Sequence, residues 1–165
     1  MSNSTLLILD TNIVLDLLLF QDPRCQPLHQ ALTQGKVQWI ATPHMRNELE
    51  RVLTYAHISV KLEFYQKSSS DILALFDRYS QIVEAPSTRA PFACKDADDQ
   101  VFIDLAAAWA DHFSTTPTSP ASSRVAVSST QRAIHLLSKD KAVLSMRKRL
   151  AKLSIHVNTA QDWHI

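Results

Sequence analysis

The chain has 165 residues, one glycine (Gly35), 45 % apolar and 20 % charged positions, and a formal net charge of +1. This length suits one globular domain that buries roughly 70 % of its unfolded surface. A single glycine excludes the glycine loops that cradle phosphates, because the P-loop and the dinucleotide fingerprint each need more than one, and it excludes the GxSxG nucleophile elbow for the same reason.

In chain order, the run Leu6–Leu9 reads as a buried strand that Asp10 ends, too short for a signal peptide. Ile13–Phe20 and Gln26–Thr33 read as helices, and Asp16 interrupts the first, so nothing there spans a membrane. Val37–Ala41 is a second strand. Thr42 then caps, and Pro43 opens, a helix running to about Ala56. One long helix is predicted over Val60–Tyr79, a third strand over Gln81–Glu84, and a helix over Asp96–His112 with Asp96 as its cap. Ala133–Leu137 is a fourth strand, Lys141–Lys152 a basic helix, and Ser154–Val157 a fifth strand. Strands alternating with helices predict a three-layer α/β/α sandwich around a parallel sheet of about five strands. The whole chain, 1–165, reads as one domain. Residues 114–130 interrupt it with twelve Ser, Thr or Pro in seventeen positions, a composition read as a flexible insertion.

Cys25 and Cys94 form no CxxC pair and read as reduced thiols. With no leader and no span, the expected location is the cytoplasm. Residues 124–152 hold eight Lys or Arg against one acid, Asp140, a net +7 that leaves −6 for the rest. Such a segment is either a solvated helix face or a seat for an anionic partner, nucleic acid first.

Four acids stand out by position. Asp10 and Asp140 each follow an apolar strand, where a parallel sheet binds ligands; each also fits a helix N-cap. Glu48 borders the stripe Met45, Leu49, Val52 and Leu53, either as a ligand or as a snorkelling or salt-bridged side chain with Arg46 as a partner. In Lys95-Asp96-Ala97-Asp98-Asp99, Asp99 precedes Phe102 and Ile103 by three and four residues and so points toward the core. Converging carboxylates need a cation, and hard oxygen donors suit Mg²⁺ or Mn²⁺. An acidic metal site beside a basic segment suits phosphodiester chemistry.

The stretches Leu9-Asp10-Thr11-Asn12, Thr42-Pro43 with Glu48-Leu49 and Val52-Leu53, Lys95 to Asp99 with Phe102, and Leu137-Ser138-Lys139-Asp140-Lys141 resemble the PIN-domain nucleases. Their order is similar to that of bacterial toxins of toxin–antitoxin pairs, the VapC-type ribonucleases. The resemblance implies Mg²⁺- or Mn²⁺-dependent hydrolysis of single-stranded RNA. It implies an acid quartet of Asp10, Glu48, Asp99 and Asp140, with Asn12, Ser138 and Asp98 as polar neighbours that orient the carboxylates. Lys139, Lys141 and Arg147 are then candidates to hold the RNA backbone. The implied partners are RNA, a cognate antitoxin and a second copy of the chain docked through the helices of residues 43–79. The family commonly has Gly where this chain has Lys139, and often a further Asp where it has Ala142. These two departures support the alternative of a non-catalytic nucleic-acid-binding or regulatory module with a degenerate metal site.

Overall fold

The computed structural model describes residues 5–115 and 132–165; the stretch read as an insertion falls, from residue 116 on, outside the described residues. Strand β1 (Thr5–Leu9) buries Leu6, Leu7, Ile8 and Leu9, a run apolar on both faces that belongs in the middle of a parallel sheet. Beside it lie β2 (Val37–Ala41) and β4 (Ile134–Leu137). Outside these are β3 (Ser80–Ile82) and β5 (Ile155–Asn158), in the order β3-β2-β1-β4-β5 with every pairing parallel.

Helices α1 (Thr11–Leu18), α2 (Gln26–Thr33), α3 (Pro43–Val52), α4 (Ala56–Phe64) and α5 (Ser69–Tyr79) connect β1, β2 and β3. Helix α6 (Gln100–Thr115) precedes β4; α7 (Lys141–Leu144) and α8 (Arg147–Ala151) precede β5. Right-handed crossovers place α1–α5 on one face of the sheet and α6–α8 on the other, because the chain moves across the sheet in opposite directions after β1 and after β3. The packing agrees: α1 touches α2, α3 and α5, whereas α6 touches β4, β1 and β5. The result is the three-layer α/β/α sandwich that the sequence predicts.

Local chemistry explains the boundaries. Thr42 caps α3 by accepting from the Met45 amide at 3.4 Å, with Pro43 as its first residue. Gly35 has φ +66, and the amides of Gly35 and Lys36 donate to the carbonyls of Leu32 and Ala31, closing α2 in a Schellman turn that a glycine accommodates without strain.

Four helix expectations need correction. The helix opened by Pro43 ends at Val52, and Ala56 begins a separate helix. The helix predicted over Val60–Tyr79 is two helices. Gln66 adopts φ +54, and Ser68 starts α5 through a reciprocal capping box with Asp71. The helix predicted from Asp96 begins at Gln100, and Asp96 instead organises a turn by accepting from the Asp98 amide at 3.0 Å. The basic helix breaks at Ser145–Met146, where buried Met146 anchors the join.

Candidate active site

β1 and β4 are neighbours in register, Leu9 beside Leu137, and they flank the point where strand order reverses. A crevice opens beyond the carboxyl ends of strands at such a point. Asp10 and Ser138 are the next residues of the two strands. The Asp10 amide donates to the Leu137 carbonyl at 2.9 Å, continuing the ladder into the crevice.

Asp10 is 5 % exposed and occupies the N-cap position of α1, yet its side chain makes no cap hydrogen bond. Its Oδ2 instead accepts from the hydroxyl of fully buried Ser138 at 2.6 Å and, more weakly, from Asn12 Nδ2 at 3.4 Å. Ser138 Oγ also accepts from the Asp140 amide at 2.9 Å, and Asn12 Oδ1 accepts from the Lys139 amide at 3.3 Å. Ser138 and Asn12 therefore stitch the two strand ends together. Asp140, unlike Asp10, does cap its helix: Oδ1 accepts from the Ala142 amide at 2.7 Å. Capping occupies that one oxygen.

The loop before α6 brings two more acids to the crevice. Asp96, Asp99 and Asp140 each offer a carboxylate oxygen within 4.8 Å of the other two. Asp99 Oδ2 is buried with no hydrogen-bond partner. Asp98 is exposed beside them. Half-buried Glu48, on α3, and Asp10 lie outside that trio but are coupled to it by charge. Arg46 is not the partner of Glu48, because the Arg46 guanidinium forms a fork to Asp77 at 2.7 and 2.8 Å.

The carboxylates of the crevice influence one another's titration. Asp99 is pushed up to about 7, by burial first and then by the charges of Asp10, Asp140, Asp96 and Glu48. Glu48 is raised by burial and by Asp10, with His44 and Arg51 pulling the other way and Asp98 adding a smaller push. Burial raises Asp10 too, opposed by the Ser138 hydroxyl and nearby amides and reinforced by Asp140. Like charges crowd one another toward the neutral form unless a cation joins them. An all-oxygen donor set containing an orphaned buried carboxylate oxygen fits a hard divalent ion.

A sequence profile described as PIN domain matches residues 7–113, more than half of the chain. The chain belongs to the PIN-domain family. PIN domains are generally metal-dependent nucleases, which are hydrolases, and the acidic crevice has the donor set such an enzyme needs. A comparison with curated proteins returns no match. The profile spans Asp10, Glu48, Asp96, Asp98 and Asp99 but stops short of Asp140, whose place in this PIN domain follows from the adjacency of β1 and β4.

Among the cations named from sequence, Lys141 is exposed, and Arg147 donates from Nε to the Val157 carbonyl at 2.8 Å. Lys139 places its ammonium 2.7 Å from Asp16. Asp96 escaped sequence reasoning because an acid ahead of a helix already has an explanation as a cap. Asp16 gives no site signal in the sequence, where a charge in an apolar helix serves only as a bar to membrane insertion. Among the described residues no helix is long and apolar enough to cross a membrane.

Proposed function

We propose that this PIN domain is an endoribonuclease that uses Mg²⁺ or Mn²⁺ to cleave single-stranded RNA, as the toxin of a toxin–antitoxin pair. The observation that carries the metal site is the orphaned Oδ2 of Asp99, buried among carboxylates that repel it. Asp99 and Asp140 would hold the ion together with Asp96, whose carboxylate lies within 4.8 Å of both, and Asp10, outside that trio but coupled to Asp99 and Asp140 by charge, would complete the site. A bound divalent ion lowers the pKa of water and offsets charge on the scissile phosphate.

The protein's own groups do the rest. The Ser138 hydroxyl favours the charged form of Asp10 against the burial that raises its titration, and Ser138 and Asn12 together fix its carboxylate. Glu48, whose titration burial and Asp10 raise, would orient the attacking water. Asp98, exposed at the rim, adds negative charge beside Asp96. Exposed Lys141 and the remaining guanidinium nitrogens of Arg147 supply phosphate contacts. Lys139 contributes less there, because Asp16 already neutralises it. Two PIN domains would dock through α3–α5, where Tyr55, Val60, Phe64 and Tyr65 remain exposed.

The test is cleavage of an unstructured RNA with Mn²⁺ or Mg²⁺ present, abolished by chelator and restored by the metal. Stoichiometric RNA binding without turnover in either metal would instead favour the non-catalytic alternative.

A further inference from the structure

Lys139 lies between two residues that build the crevice, Ser138 and Asp140, but its own side chain leaves it. Nζ sits 2.7 Å from Oδ2 of Asp16, a carboxylate whose side chain is only 9 % exposed. Asp16 belongs to a stretch of α1 that otherwise buries Ile13, Val14, Leu15, Leu17 and Leu18. A lone carboxylate there would be costly, and the ammonium is what makes it tolerable. Lys139 also lines a small pocket with Asp16 and with Asp22, Arg24 and Cys25, on the segment joining α1 to α2, and its charge is felt there. Asp22 in turn is forked to Arg24 at 2.7 and 3.0 Å.

The backbone of Lys139 is held as well. Its amide donates to Asn12 Oδ1. Asn12 and Asp16 are four residues apart on α1, and so share one stripe of that helix. One stripe of α1 therefore grips residue 139 twice, by the amide and by the side-chain tip. The flanking residues carry the consequence: Ser138 donates to Asp10 and accepts from the Asp140 amide.

We infer that Asp16 and Lys139 form a clamp that sets Ser138 and Asp140 against Asp10, and that they are positioning residues for the carboxylate site. Its consequence for metal binding rests on the metal-site reading above. Lys139 is then a strut between α1 and the end of β4.

The experiment titrates Mn²⁺ into the full chain by calorimetry, well below the unfolding temperature, with circular dichroism as the check on folding. Lys139→Met and Asp16→Asn should each weaken Mn²⁺ binding about tenfold, the usual effect of removing a partner that orients a metal-binding residue. The double variant should stay weak, although it leaves no unpaired charge, and Lys139→Arg, which keeps the cation, should bind nearly as tightly as the parent. A merely structural pair would lower the melting temperature while the folded Lys139→Met and double variants bound Mn²⁺ as the parent does, and that result overturns the clamp. If the parent itself binds no Mn²⁺, the metal-site reading fails, and amide hydrogen exchange at residues 138–140 decides the clamp separately. Faster exchange in Lys139→Met supports it, and unchanged exchange overturns it.

Discussion

The crevice beyond β1 and β4 and the histidine pair across β4 and β5 both hold ionisable groups displaced from their ordinary titration range, and burial is the first cause in each. His135 is pushed down to about 4 by burial and by neighbouring His156, whose ring stacks on it at 4.8 Å. Trp163 packs edge-on against His135 at 6.4 Å. A neutral imidazole in that setting needs no counter-charge. In the crevice, burial likewise drives Asp99 toward neutrality, but four other carboxylates add their repulsion, and one oxygen has no partner. A shifted titration therefore does not by itself mark a functional site. Each region also holds a buried polar atom without a hydrogen-bond partner, Asp99 Oδ2 in the crevice and His135 Nδ1 at the pair, so what separates the two is the convergence of several carboxylates, which together need a cation.

The largest test of that contrast is Asp10→Asn. The amide keeps an oxygen for the Ser138 hydroxyl, so the fold should survive, while RNA cleavage should fall by about a hundredfold or more. Retained cleavage would remove Asp10 from the site. Next is Mn²⁺ itself. If bound at the crevice it should stabilise the folded chain through linkage, by about 2.7 kcal/mol at a hundred times its dissociation constant. Because it competes with the Asp99 proton, the rise in melting temperature should be larger at pH 8 than at pH 5. An equal rise at both pH values would show that Asp99 does not face the metal.

A smaller effect is expected from Asp99→Asn without metal. The folded pKa of about 7 lies above the ordinary 3.8, so folded Asp99 holds its proton longer than unfolded Asp99 does. Its contribution is therefore fully favourable below about pH 4 and is lost as pH rises through 7. The variant should lack that loss and melt higher than the parent at pH 8 in chelator. The smallest effect belongs to the histidine pair. With its folded pKa near 4, below the ordinary 6.5, His135 contributes stability that is present above pH 6.5 and lost as pH falls toward 4. His135→Leu should flatten that acid limb of the melting curve and leave Mn²⁺ binding unchanged. A change in Mn²⁺ affinity would mean the two regions are coupled.

Much of the fold is legible in short-range pattern. Leu6–Leu9 and Val37–Ala41 are too apolar to be anything but buried strands, and Thr42-Pro43 begins a helix as written. The break between α4 and α5 was legible too, in the Ser68-x-x-Asp71 spacing, but the apolar periodicity on either side masked it. The candidate acids were legible as positions rather than as a site. Asp10 directly follows β1 and Asp140 stands three residues past β4; both occupy helix N-cap positions, yet only Asp140 caps its helix with its side chain. The difference is Ser138, whose hydroxyl draws the Asp10 carboxylate across from the neighbouring strand.

The sequence by itself determined the alternation of strands and helices, the layer architecture and the family, because each depends on spacings of a few residues and on apolar runs. Only the tertiary structure decided which carboxylates meet, that Asp96 joins Asp99 and Asp140, and that Lys139 turns away to Asp16. Those choices depend on β1 lying beside β4, a pairing of segments distant in the chain, so no local pattern could encode them.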